Sequence, residues 1–172
     1  MGKLATNCYL FISGPELAII DPGDEADNIL TRVEKTKAKV KYIINTHSHF
    51  DHILASDELK ERTGAAVLIH EEEKKLVNFK VDRFLEEKDK IKIGSAVLEI
   101  VHTPGHTPGG ICLLGKKVIF TGDTIFKNGY GRTDLTGGSF EKLKDSLKKL
   151  AGLLKPGMTV YPGHGEPFKI NK

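Results

Sequence analysis

Cysteine is scarce in this sequence: Cys8 and Cys112 are the only two, each set in an apolar stretch. Such a pair reads as buried, reduced thiols, which excludes a disulfide-stapled secreted fold and points to a reducing, cytoplasmic setting. Long hydrophobic runs are missing as well. No window approaches the roughly 18 apolar residues that cross a bilayer, and the first residues lack the charged head and apolar stretch of a secretion signal. Neither membrane insertion nor secretion is expected. Charge of one sign is nowhere concentrated. The net charge is only +3, and lysines alternate with glutamates in EEEKKL, LEEKDKIKI and EKLKDSLKK. That is the pattern of solvated faces, so no nucleic-acid partner is expected. Glutamine is absent while Lys and Glu abound, a balance reported for heat-adapted proteins.

What remains is ordinary globular composition, 39% hydrophobic and 28% charged over 172 residues, and one domain spanning 1–172 is expected. A chain of this length buries roughly two thirds of its unfolded surface, so it needs no metal merely to fold. Apolar runs of strand length alternate with amphipathic runs of helix length. Strands are predicted at 9–13 and 17–21, joined through Gly14-Pro15, and at 39–46 and 65–70. Further hairpins are predicted from DKIKIG with AVLEIVHT and from GICLLG with VIFTGD, and a last strand at 158–163. Helices are predicted after Asp24 as cap, at 52–62 closed by Gly64, in short form at 71–77, and at 139–150 with a serine cap. The order strand, acidic turn, helix, strand ending in histidine occurs twice, in LAIIDPGD to YIINTHSH and in VIFTGDTI to TVYPGHG. Two such halves imply an α/β, four-layer αββα sandwich with polar strand ends gathered at one edge.

The 18 glycines cluster beside histidines and aspartates, as tight turns around polar residues do. Thr46-His47-Ser48-His49-Phe50-Asp51-His52 puts four metal-ligating side chains within six residues, directly after an apolar strand. Alternation points His47 and His49 the same way, and Asp51 and His52 fall where the chain turns into a helix. Three more positions share the context of a strand end running into a glycine turn: His106 in HTPGHTPGG, Asp123 in FTGDT and His164 in YPGHG. Five imidazoles and two carboxylates, with no thiolate, suit two borderline cations. His70 and His102 read as non-ligands, and Asp21 in DPG as a buried carboxylate that supports ligands without being one.

On these motifs the sequence resembles the metallo-β-lactamase superfamily, and within it the glyoxalase II-like hydrolases, from Asn7-Cys8-Tyr9-Leu10 and Ile20-Asp21-Pro22-Gly23 to Pro162-Gly163-His164-Gly165. The resemblance implies one metal held by His47, His49 and His106 and a second by Asp51, His52 and His164, with Asp123 and a hydroxide bridging them. Zinc, iron or both are implied, with manganese as a third fitting ion. Asp123 stands where the best-known zinc-dependent β-lactamases carry a cysteine, which leans toward the hydrolase branch, as do GDTIF and Gly131-Arg132-Thr133-Asp134. One departure stands out. Only eight residues follow His164, so the helical domain that helps grip glutathione in glyoxalase II is not expected.

The activity implied is hydrolysis of a small-molecule thioester of the S-acyl-glutathione type, with Asp51 holding the nucleophile. A thiolate of pKa near 8.5 leaves without a strong acid, and the sequence offers no dedicated acid. Tyr130 and Arg132 are candidates for the thiol carrier, Arg132 pairing with a carboxylate or, equally, with Asp134. The main rival is a persulfide dioxygenase with one Fe(II) on His47, His106 and Asp123. A lactonase, a nuclease and a non-catalytic metal-binding protein rank lower.

Overall fold

Alternation along the strands decides which side chains face which layer. The computed structural model describes residues 1–2 and 4–171, so Lys3 and Lys172 lie outside the described residues. Strands β1 (Tyr9–Ser13) and β2 (Glu16–Ile20) form an antiparallel hairpin. Helix α1 (Ala26–Thr36) then returns the chain to β3 (Lys39–Ile44), parallel to β2. Helices α2 (Phe50–Ile53) and α3 (Ser56–Thr63) lead to β4 (Ala66–His70), and β5 (Arg83–Leu85) completes a five-stranded sheet in the order β1-β2-β3-β4-β5.

The second sheet begins with the meander β6 (Lys90–Ile93), β7 (Ala96–His102), β8 (Ile111–Leu114) and β9 (Val118–Gly122). A small ribbon, β10 (Ile125–Phe126) with β11 (Gly129–Tyr130), precedes helix α4 (Phe140–Leu153). The chain then enters β12 (Thr159–Pro162), parallel to β9, and β13 (Phe168–Lys169), giving the order β13-β12-β9-β8-β7-β6. The repeat legible in sequence is therefore real in space: β2-α1-β3 and β9-α4-β12 are parallel crossovers, one in each sheet, and the first sheet continues with β3–β4 and β4–β5, also parallel.

Ala18 and Ile20 of β2, with Ile44 and Leu68, face Leu98, Ile100, Leu113 and Phe120 of the other sheet in the central core. Leu17 and Ile19, one residue out of phase, pack instead on Ile29 and Val33 of α1 and Leu59 of α3. On the far side Cys112, Ile119 and Val160 meet Leu150 of α4. The layers are α, β, β, α, and each fully buried Leu or Ile contributes about 1.5–3 kcal/mol to holding them. The β2–β3 register shifts between Leu17 and Ala18, inserting Lys41 as an extra residue, and its ammonium pairs with Glu16 at 2.9 Å. Among the described residues no helix is long and apolar enough to cross a membrane.

Three local expectations need correction. Asp24 does not cap α1: Glu25 occupies the cap position in the left-handed region, φ 57°, and Asp24 Oδ1 accepts from Glu25 N–H instead. The helix expected at 52–62 starts earlier and is broken, because Ala55 N–H is taken by the carbonyl of Pro22 in the turn after β2. Asp51 and His52 thus ride on a separate turn of helix. The helix expected at 71–77 is only a 3-10 turn, Glu71–Glu73, and Glu73 in it is fully buried rather than solvated.

Candidate metal centre

Every ligand candidate sits where a strand stops. β3 ends at Ile44 and the chain runs on through Thr46 to His47 and His49, while α2 carries Asp51 and His52. His106 comes from the loop between β7 and β8, Asp123 follows β9, and His164 follows β12. All seven converge on one edge of the two sheets. His47, His49 and His106 have ligand atoms within 4.8 Å of one another, and so do Asp51, His52 and His164, and His47, His52 and Asp123. Asp123 lies between the first two sets: its Oδ2 is 3.5 Å from His106 Nε2 and 3.5 Å from His164 Nε2, and its Oδ1 is 3.4 Å from His52 Nε2.

Four of the five rings have a partner for the nitrogen turned away from the centre. His106 Nδ1 lies 2.7 Å from the carbonyl of Arg132, and His164 Nδ1 lies 3.1 Å from that of Leu4. A carbonyl only accepts, so both Nδ1 atoms carry the proton and both Nε2 atoms present a lone pair to the centre. His47 Nδ1 is 3.1 Å from the Thr46 hydroxyl, which itself donates to Asp21 Oδ2 at 2.8 Å, and His52 Nδ1 is 3.1 Å from that same Oδ2. Asp21 therefore orients two rings, one directly and one through Thr46.

Nε2 of His47, Nε2 of His106 and Oδ1 of Asp123 are buried and make no hydrogen bond among the described residues. Buried, convergent lone pairs left unpaired are what a bound cation satisfies, and five imidazoles with two carboxylates are the donor set of zinc or iron. The residues fit a metal.

The electrostatics agree. Burial, reinforced by His52 and His106, holds His47 well below the usual imidazole range, and burial with His106 lowers His49, so both rings are neutral and ready to ligate. Burial disfavours charge on His52 too, yet the Asp21 and Asp123 carboxylates outweigh it and push its pKa up to about 10. Burial likewise opposes charge on Asp51, but hydrogen bonds from His164 and Thr6 hold it below the usual carboxylate range. Without an ion, the centre recruits a proton onto His52. It is built for positive charge.

Residues without a metal-ligand signature complete the support. Thr6, fully buried, donates its hydroxyl to Asp51 Oδ2 at 2.7 Å, and Asn7 Nδ2 donates to the carbonyls of Pro162 and Gly165 on either side of His164. Gly163 has no room for a side chain, since a Cβ there would stand 2.2 Å from Asp123 Oδ1 and 2.6 Å from His52 Cε1. No local pattern announces Thr6, whose partner lies 45 residues away. His70 and His102 lie outside the cluster, stacked on each other at 4.0 Å. Tyr130 is half exposed and helps line a cleft of ≈ 550 Å³ that reaches His164. The Arg132 guanidinium is held by Asp134 through bonds of 2.8 and 2.6 Å, while its backbone carbonyl braces His106.

Residues 1–164 match the family model described as the metallo-beta-lactamase superfamily. The chain is 35% identical over 187 positions to hydroxyacylglutathione hydrolase GloC of Haemophilus influenzae, covering 96% of this chain and 88% of that protein. Among solved structures, BLEG-1, a B3 metallo-beta-lactamase, aligns with TM-score 0.92 at 29% identity over 98% of this chain and 91% of its own. ETHE1 from Myxococcus xanthus aligns with TM-score 0.89 at 30% identity over 98% and 76%.

Proposed function

The chain belongs to the metallo-beta-lactamase superfamily and carries its His/Asp metal-binding cluster, and from this we propose that it is a two-metal hydrolase acting on a thioester of the S-acyl-glutathione type. The observation that carries the reading is the position of Asp123, within 3.5 Å of one histidine from each three-residue set. One carboxylate so placed is suited to bridging two ions, zinc, iron or manganese, held by His47, His49 and His106 and by Asp51, His52 and His164. Two ions held by these residues would supply a hydroxide near neutral pH and would polarise the carbonyl under attack.

Asp51, anchored by Thr6 and facing His164 at 3.3 Å, is the residue that orients the nucleophile. A thiolate leaving group needs no strong acid, in keeping with the lack of a dedicated one. The likeness to GloC supports a thioester over an amide. Tyr130, in the cleft beside His164, would meet the thiol carrier. Arg132 can exchange Asp134 for a substrate carboxylate at little cost, because exposed ion pairs contribute little. The free thiols Cys8 and Cys112 favour a reducing, cytoplasmic setting for this small-molecule chemistry, with neither nucleic acid nor membrane as partner.

A second reading has support of its own. Persulfide dioxygenase chemistry on a single Fe(II) would use His47, His106 and Asp123, whose His106 Nε2 and Asp123 Oδ2 are 3.5 Å apart, and the ETHE1 likeness favours it. Metal analysis of protein from metal-controlled medium separates the two, with thioester, lactone, β-lactam and persulfide assays on the same sample. The expected result is two ions per chain and a kcat/KM for thioester well above that for a matched β-lactam. One iron per chain with oxygen uptake on persulfide would overturn it.

A further inference from the structure

Glu73 lies in the run EEEKK, which reads as a solvated face, yet it is fully buried at 0% exposure. Its Oε2 accepts from Ser48 N–H at 3.1 Å and from the Ser48 hydroxyl, and its Oε1 accepts from Gly109 N–H at 2.6 Å. Ser48 stands between His47 and His49, and Gly109 lies three residues beyond His106. One side chain therefore ties together the two loops that deliver the three-imidazole set. The fit is close, since a Cβ on Gly109 would sit 2.7 Å from Glu73 Cγ and 2.9 Å from Oε1. All three donors come from these loops, and no Lys or Arg pairs with the carboxylate among the described residues. An apolar side chain there would leave the Ser48 and Gly109 N–H groups without their acceptor, so the carboxylate is what holds the two loops to each other.

We propose that Glu73 is a positioning residue for the metal held by His47, His49 and His106. It fixes the backbone on both sides of the centre so that the three Nε2/Nδ1 donors keep one geometry before the ion arrives. The Asp51, His52 and His164 set has its own supports in Thr6 and Asn7, with Asp21 shared through His52 and His47, and Glu73 touches none of them, so its action is confined to one ion. The inference rests on reading those three histidines as ligands.

The test is Co(II) binding to metal-free protein, followed by calorimetry and by the absorption of the bound ion, with thermal melting of the same metal-free samples. Glu73→Gln keeps the size of the side chain but turns one acceptor into a donor facing an N–H or O–H. It is expected to raise the Kd of one of the two ions by about 10–100-fold and to alter that ion's absorption, leaving the other ion within about threefold. In a His49→Ala background the same change should have no further effect on the remaining ion, and in a His164→Ala background the full loss should return. Ser48→Ala, which removes a single hydroxyl, should weaken the same ion by a smaller factor and decides the matter if Glu73→Gln does not fold. Equal weakening of both ions, an undiminished effect in His49→Ala, or a lower melting temperature with unchanged Kd would overturn the proposal. A wild-type chain that binds both ions while the Glu73 and Ser48 variants bind them equally well sinks the positioning role alone. A wild-type chain that binds no Co(II) sinks the ligand assignment with it.

Discussion

His52 has a carboxylate on each side: Asp21 Oδ2 lies 3.1 Å from Nδ1, and Asp123 Oδ1 lies 3.4 Å from Nε2. In metal-free protein this raises its pKa from 6.5 to about 10. A pKa raised on folding gives stability that is fully present below pH 6.5 and is lost as the pH climbs through about 10. Cys8 and Cys112, raised by burial to about 12 and about 11, add a further loss once the pH passes their unfolded value of 9.0. Asp21→Asn isolates the first effect. It should flatten the decline in melting temperature between pH 6.5 and about 10 in chelator-treated protein and weaken metal binding at the same time. A decline identical in slope to wild type would show that Asp21 does not hold that proton. A second prediction at this scale concerns Arg132. Arg132→Ala should raise KM about tenfold or more for a carboxylated thioester but not for an uncharged one, and Arg132→Lys should do so less. Equal effects on both substrates would leave only the Asp134 contact.

Among the elements, the strands with clean alternation were legible, and β2 shows why: Leu17 and Ile19 go to one layer, Ala18 and Ile20 to the other. The HxHxDH run at the end of β3 was equally plain, because several ligating side chains in so few residues have little other use. What escaped had no local cause. β5, β13 and the β10–β11 ribbon are two or three residues each, too short for a period to show. The break between α2 and α3 depends on the Pro22 carbonyl, and the burial of Glu73 on two loops far along the chain. The segment leading into β1 is the most consequential of these hidden elements. Thr6 pairs with His164 in an isolated bridge, and Asn7 holds Pro162 and Gly165 through its side chain at 3.0 and 2.7 Å. Asn7→Ala removes both bonds while the Pro162 carbonyl keeps the Tyr9 hydroxyl at 2.6 Å, and it should cost about 0.5–1.5 kcal/mol, with weaker binding of the ion at Asp51, His52 and His164. Denaturant melts alongside metal titration measure both, and unchanged metal affinity would reduce the segment to a structural strap.

Seen whole, the centre belongs to neither sheet. His47 and His49 come from the half built around the first sheet and His106 from the second; Asp51 and His52 come from the first and His164 from the second. Counting the bridging Asp123, each ion would take two ligands from each half, so binding is coupled to the docking of the halves. At a free concentration 100 times Kd, an ion that binds only folded protein adds about 2.7 kcal/mol, or roughly 5–10 °C in melting temperature for a chain of this size. Chelation should remove that increment and zinc should restore it, as scanning calorimetry would show. A melting temperature indifferent to metal would mean the ligands are not recruited across the halves.

Ions straddling the two sheets would also depend on them for how long they stay. With both halves seated, a bound ion would be held from both sides at once; if the edge parted, the second half would withdraw its ligands from each ion at a stroke. Leakage is then timed by the parting of the edge and not by the strength of any single bond. The dwell time of a bound metal should fall steeply on warming, as rates of opening do, and should lengthen with a change that cements the sheets in the central core, such as better packing around Leu98.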